Sequence, residues 1–149
     1  MKFQKTLSLF CVVVLGLAAS ASAAGDGWMT DFEAAQVKAK AENKPMLLSF
    51  TGSDWCPPCM ALKKEVFQKD VFKDYAAADL VLVEFDFPRF TKLSAELMAQ
   101  NEQAKVQYGI EYFPTILMLS ADGELIERAG YRRGGPEAYV EHIKGILAK

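Results

Sequence analysis

The chain has 149 residues, of which 51% are hydrophobic, and a formal net charge of −2. This length and composition are sufficient for one domain with a substantial core. The sequence contains no basic run of the kind that binds nucleic acid, so no nucleic-acid partner is expected. It also contains no repeat, linker or low-complexity stretch, and a single domain, acting as a monomer, is predicted.

The first 23 residues are predicted to be a secretory signal peptide. Lys2 and Lys5 precede an apolar run over residues 7–19, and small residues at 21–23 form a small-x-small cleavage site. The apolar run is too short to span a membrane, so no membrane span is expected after cleavage.

Cleavage after Ala23, or alternatively after Ala24, would leave residues 24–149 as one domain in the bacterial periplasm or outside the cell. It would also remove Cys11, so that both remaining cysteines lie in one motif. An even number of cysteines in an exported protein indicates a disulfide. A lipid anchor on Cys11 is disfavoured because large residues precede it.

The first predicted helix of the mature chain runs from Asp31 to Glu42, and Thr30 and Glu33 fit a capping box at its start. The segment 46–51 is nearly all apolar, as expected for a strand buried on both faces. A turn follows over residues 51–54, in which we interpret the aspartate as a turn former.

Residues 55–59 read Trp-Cys-Pro-Pro-Cys, and a Cys-x-x-Cys helix that follows a strand favours a redox pair. With Cys56 as N-cap, both prolines fall in the first turn, where a missing N–H costs little. The positive end of the helix then favours the Cys56 thiolate. Cys59, one turn further in, can attack a mixed disulfide formed at Cys56. The pattern predicts Cys56 as the attacking thiol and Cys59 as the resolving thiol.

Two other interpretations of the pair are a structural disulfide and half of a zinc site. A zinc site needs about four ligands, and the other candidates in the chain are Cys11 and His142. No metal and no cofactor are therefore predicted.

Beyond the motif, alternating helices and strands predict an α/β domain with helices on both faces of the sheet. The predicted elements are the continuation of the motif helix from Cys59, a second helical piece capped by Asp70, a strand over 80–87, a helix over 91–108, a strand over 115–119, a hairpin turn at 121–123, an edge strand over 124–129 and a last helix from 134.

The chain resembles the thioredoxin superfamily over about residues 28–148. The resemblance is carried by residues 55–59, by Phe-Pro-Thr at 113–115 before a strand, and by Asp-Gly at 122–123 in the hairpin. The segment 43–55 is most similar to secreted bacterial thioredoxin-like proteins and to the C-terminal domain of the membrane disulfide reductase DsbD. The resemblance implies a single thioredoxin-like domain with a central mixed four-stranded sheet, and thiol–disulfide oxidoreductase activity.

The resemblance also implies a cis peptide bond before Pro114, packed against the cysteine pair. An X–Pro bond is the one place where the cis form costs little, about 0.5–1 kcal/mol. The backbone of Phe113 would then lie beside Cys56 and pair with an extended substrate. Trp55 either shields the disulfide and contacts the substrate or only packs.

One departure from the family concerns proton transfer. Thioredoxins bury an acid in the strand before the motif, whereas here Ser49 or Phe50 occupies that position. Glu84, in the neighbouring predicted strand, is the candidate proton acceptor for Cys59. The alternatives are that Glu84 points to water or pairs with a lysine, and that a water beside Ser49 accepts the proton.

The expected function is reduction of protein disulfides by a dithiol that a membrane disulfide reductase keeps reduced. The strong oxidants of this fold have a His between their cysteines, whereas here both intervening residues are prolines. Two alternatives remain, a disulfide oxidant or isomerase and a non-catalytic copper carrier that uses both thiols.

Overall fold

The computed structural model describes residues 23–24 and 26–149, so that most of the predicted signal peptide lies outside the described residues. The strands of the described part are β1 Ala23–Ala24, β2 Trp28–Met29, β3 Met46–Thr51, β4 Val81–Asp86, β5 Thr115–Leu119 and β6 Leu125–Ala129. The helices are α1 Phe32–Glu42, α2 Pro57–Leu62 with a π-helical continuation Lys63–Phe67, α3 Asp70–Asp79, α4 Ala95–Gln107 and α5 Gly135–Leu147.

These strands form one mixed sheet in the order β1-β2-β4-β3-β5-β6. β3 pairs parallel with β4 and antiparallel with β5, and β5 pairs antiparallel with β6. The four predicted strands are confirmed. The predicted number of four strands in the sheet is too low, because the two-residue strands β1 and β2 extend the sheet beyond β4. Strands this short carry no periodic pattern that a sequence can reveal.

Two buried clusters cover the two faces of the sheet, because side chains alternate along each strand. Leu48, Phe50 and Phe85 belong to the cluster under α1 and α4. Leu47 and Leu82 belong to the cluster on the other face, with residues of α2, α3 and α5. The helix that begins at the motif therefore packs on the face of β3 and β4 that also carries their polar members, Ser49 and Glu84.

Two predicted helix starts are wrong. The cap of α1 is Asp31, whose carboxylate accepts a hydrogen bond from Ala34 N at 3.0 Å, and not the predicted Thr30–Glu33 box. The helix predicted over 91–108 begins only at Ala95, capped by Ser94. Residues 91–93 stay outside it, and Thr91 N donates a hydrogen bond to the carboxylate of Asp54, in the loop before the cysteine motif.

Smaller differences concern element ends. Asp70 is the first residue of α3, and Lys69, not Asp70, is its cap. β4 and β6 are shorter at their ends than predicted. Within the described residues, no helix has the length and apolar composition needed to cross a bilayer.

Candidate active site

The cysteine motif begins where β3 ends. The backbone turns after Thr51, and Cys56 N donates to Gly52 O at 3.0 Å. Cys56 is the N-cap of α2 in an extended conformation, and the two prolines occupy the first turn, as predicted. Cys56 and Cys59 form a disulfide with an S–S distance of 2.07 Å.

Both cysteines are buried in this disulfide form, with Cys56 3% and Cys59 4% exposed. Exposure to solvent therefore does not distinguish the two sulfurs in the oxidised form. The difference between the two rests on their position in the helix, since Cys56 is the N-cap and Cys59 lies inside the first turn.

The Phe113–Pro114 peptide bond is cis, as predicted. Thr115, the residue after Pro114, pairs with Phe50 near the C-terminal end of β3. The loop that contains Pro114 therefore lies at the same end of the strands as the start of the cysteine motif. The ring of Phe113 lies 6.0 Å from that of Trp55, nearly perpendicular to it. The structure thus brings together Trp55 and Phe113, two of the residues predicted to contact the substrate.

Trp55 is held by the loop that follows β4. Its indole Nε1 donates to Phe87 O at 2.7 Å. The guanidinium carbon of Arg89 lies 3.8 Å from the centre of its ring. These contacts join residues more than 30 positions apart in sequence, and the sequence carried no signal for them.

Asp54 fixes the same loop. Its carboxylate accepts hydrogen bonds from Arg89 N at 2.9 Å, Phe90 N at 2.8 Å and Thr91 N at 2.9 Å. Desolvation raises the pKa of Asp54, but these backbone hydrogen bonds outweigh it and leave the pKa below its ordinary value. The sequence interpretation of Asp54 as a turn former missed this role, which depends on a partner distant in sequence.

Glu84 lies beside Ser49 in the register of β3 and β4. Its side chain is 17% exposed, and its carboxylate lies 3.8 Å from the ammonium of Lys63. Burial raises the pKa of Glu84, although the positive charge of Lys63 opposes the rise. Lys63 follows Cys59 by one helical turn, and its backbone N–H bonds to Cys59 O. A carboxyl group with a raised pKa thus contacts a side chain one helical turn after Cys59.

The described residues contain no cluster of three or more His, Cys, Asp or Glu side chains suited to a metal ion. His142, the remaining candidate in the predicted domain, lies in α5, and its Nδ1 is 2.7 Å from Arg132 Nη1. Burial lowers the pKa of His142, and the charge of Arg132 lowers it further.

A cis-proline loop beside a Cys-x-x-Cys helix, on a mixed sheet with helices on both faces, defines a thioredoxin-fold protein with a redox-active disulfide. The family model described as a thioredoxin-like domain matches residues 32–143. The chain belongs to this family, and it is a protein disulfide oxidoreductase.

Two relatives whose names describe thiol–disulfide chemistry support the assignment as a disulfide oxidoreductase. The chain is 36% identical to the disulfide bond reductase DsbH of Chlamydia pneumoniae over 126 residues, which cover 85% of this chain and 75% of the relative. It is 32% identical to the thiol:disulfide interchange protein DsbD of Vibrio vulnificus, covering 91% of this chain but only 25% of that protein.

Solved structures agree on the fold. A DsbH oxidoreductase structure superposes with a TM-score of 0.77 at 30% identity, covering 98% of this chain and 95% of the other. The C-terminal domain of DsbD from Neisseria meningitidis gives a TM-score of 0.58 at 17% identity, covering 76% of this chain and 92% of the other, and shows similarity of fold alone.

Proposed function

We propose that the chain is an exported oxidoreductase that passes electrons from reduced Cys56 and Cys59 to disulfides of other proteins. The observation that supports this most strongly is the closed Cys-x-x-Cys disulfide at a helix N-terminus of a thioredoxin-like domain. The name of one relative, a disulfide bond reductase, favours electron donation as the direction.

In this proposal Cys56 attacks first. The N-terminus of α2 favours its thiolate electrostatically. Pro57 and Pro58 have no N–H, so the N–H of Cys59, at the third helical position, is the backbone donor suited to an N-cap sulfur. The thiolate attacks one sulfur of the substrate disulfide, breaks the S–S bond and releases one substrate thiolate, which takes a proton from water.

Cys59 then completes the exchange. Its thiol loses a proton, and the resulting thiolate attacks Cys56 Sγ in the mixed disulfide. The Cys56–Cys59 bond forms as the bond to substrate breaks, and the second substrate thiolate leaves and is protonated. The substrate disulfide has gained two electrons, and the dithiol of this protein has lost them.

We assign Glu84 as the acceptor of the Cys59 proton. A thiol buried among apolar groups has a raised pKa, so a nearby base assists its ionisation. Glu84 faces the motif helix from β4, is mostly buried and is joined to that helix through Lys63. Its raised pKa brings it closer to neutrality, where a carboxylate is a more effective base.

Trp55, Phe113 and Pro114 supply the contact with the substrate chain. Trp55 and Phe113 lie against each other, and the exposed Tyr112 immediately precedes Phe113. An extended substrate segment would pair with the backbone at Phe113 and place its cysteine over Cys56.

The direction of electron flow follows from the residues between the cysteines. Proline at both positions removes two N–H donors and places no cation there, so the thiolate of the reduced form is less stabilised and the disulfide is harder to reduce. We therefore propose a reductant that is exported by the signal peptide at residues 1–23. A membrane disulfide reductase would supply its electrons outside the cytoplasm.

The experiment that tests this function is trapping of mixed disulfides. Cys59→Ser should accumulate mixed disulfides with protein substrates, whereas Cys56→Ser should accumulate none, as read on non-reducing gels and by mass spectrometry. Equal trapping by both variants, or first labelling of Cys59 by iodoacetamide in the reduced protein, would show that the roles are wrong. Trapping by neither variant would contradict the function itself.

A further inference from the structure

Arg89 provides an ordered positive charge next to the redox pair. The central carbon of its guanidinium lies over the ring of Trp55, 3.8 Å from the ring centre. Trp55 immediately precedes Cys56 in the sequence, and the residue Arg89 is exposed to solvent. A planar guanidinium stacks on an aromatic face more favourably than an ammonium group does.

The position of Arg89 is determined by the backbone on both sides of it. Phe87 O accepts the indole N–H of Trp55, which fixes the ring under the guanidinium. The carboxylate of Asp54 accepts the N–H groups of Arg89 itself and of the next two residues. The loop and the motif are thus joined by four hydrogen bonds that hold the backbone at Arg89 and the ring of Trp55 in place, and the contact with that ring positions the guanidinium.

The charge of Arg89 is not neutralised within the described part of the chain. None of the ion pairs among the described residues involves Arg89. The carboxylate of Asp54, which contacts the Arg89 backbone, already accepts three backbone N–H groups. By contrast, Arg128 donates to a backbone carbonyl and Arg132 contacts His142.

A guanidinium stacked by its face retains the N–H donors along its edge. Those donors form a planar fork that matches a carboxylate in a bidentate arrangement. The guanidinium of Arg89 lies on the ring of Trp55, the residue immediately before Cys56. On the opposite loop, before Phe113, the exposed charge is that of Glu111, which would repel an acid placed there.

We propose that Arg89 forms a carboxylate-binding subsite, which selects substrate proteins that carry an aspartate or glutamate near the reacting cysteine. This inference rests on the proposed function, since it names the class of substrate for that site. The stacking on Trp55 places the charge, and the edge of the guanidinium binds the acid. Among the described residues, Arg89 is the cation that lies over Trp55, the residue next to Cys56.

The test compares three peptides that contain one disulfide each and differ only in a Glu, Gln or Lys beside the reacting cysteine. The reduced protein is mixed with each peptide, and kcat/KM is measured for the parent, Arg89→Gln, Arg89→Lys and Lys92→Gln. Lys92 is an exposed cation of the same loop and serves as the matched control. A small uncharged disulfide, dithiodipyridine, reports the dithiol chemistry without the subsite.

The parent should prefer the Glu peptide over the Gln peptide by about fivefold, the size of a solvent-exposed ion pair, and the preference should shrink at about 1 M salt. Arg89→Gln should abolish the preference, and Arg89→Lys should retain only part of it because the planar fork is lost. Lys92→Gln should behave as the parent does.

Two outcomes overturn the subsite. One is an unchanged preference in Arg89→Gln, and the other is an equal loss in Lys92→Gln, which would indicate the general charge of the surface. Dithiodipyridine gives the intrinsic rate of the dithiol in each of the four proteins. The preference is the ratio of two peptide rates within one protein, so a change in the intrinsic rate does not alter it. If the parent fails to reduce that small disulfide, the proposed function is wrong, and this failure is distinct from a failure of the subsite.

Discussion

Gly52→Ala should displace Trp55 from its place beside the redox pair. A Cβ on residue 52 would lie 2.5 Å from Trp55 Cε2 and 2.6 Å from Trp55 Nε1. The backbone of Gly52 is not in the positive-φ region, so the substitution causes no backbone strain and its destabilising effect comes from this overlap. Carbon atoms in normal contact are about 3.5–4.0 Å apart, so the ring must retreat by about 1 Å.

That movement breaks two interactions of the indole. The hydrogen bond from Nε1 to Phe87 O, now 2.7 Å, becomes too long to count as one. The Arg89 guanidinium also loses its stacking position. A neutral hydrogen bond contributes about 0.5–1.5 kcal/mol and an exposed cation–π contact about 0.5–1 kcal/mol, so Gly52→Ala should lower the free energy of unfolding by about 1–2.5 kcal/mol.

The assay is urea unfolding of the oxidised protein, together with the indole N–H resonance of Trp55, assigned by its disappearance in Trp55→Phe. Gly130→Ala is the matched control, because a Cβ there meets no atom within 4 Å and its backbone is also outside the positive-φ region. The control should keep the parental stability and resonance. A Gly52→Ala protein as stable as the control, with an unshifted Trp55 resonance, would refute the reasoning.

Three further outcomes are expected. Glu84→Gln should resolve mixed disulfides more slowly than the parent below neutral pH as long as Glu84 is ionised in the parent, a range whose lower limit its raised pKa sets. The two proteins should converge at high pH, because hydroxide then ionises Cys59 without a carboxylate. Superimposable profiles would make Glu84 a bystander, and Glu102→Gln, which breaks an exposed pair with a lysine, is the control. Asp54→Asn should speed amide hydrogen exchange at residues 89–91. Because the pKa of Asp54 is lowered in the fold, the parent alone should lose the stabilisation from this carboxylate as pH falls through that pKa. Unchanged exchange would contradict the role of Asp54 in holding this loop. The reduction potential of the disulfide should lie well below about −120 mV, the value of a strong oxidant of this fold, and a measured value near that figure would contradict electron donation.

Local pattern in the sequence was enough to identify the redox motif and most of the fold. Cys56, the two prolines and Cys59 are neighbours in the chain, and their chemistry depends on a helix start that the same few residues produce. The long strands β3, β4 and β5 were equally predictable, because a run of apolar residues bounded by turn residues is itself the signal. The cis bond at Pro114 followed from the family resemblance and is confirmed.

The surroundings of the motif were decided only by the tertiary structure. Asp54 bonds to a loop 35 or more positions away, Arg89 stacks on a ring from another loop, and Glu84 meets Lys63 across the space between a strand and a helix. Each contact depends on where two elements come to lie after the chain has folded, and no periodicity in either segment encodes its partner. The sequence by itself determined that the chain carries a dithiol on a thioredoxin-like domain, because those features are local or periodic. Which charges surround the dithiol depended on the packing of β4 and its following loop against the motif, which brings distant polar side chains together.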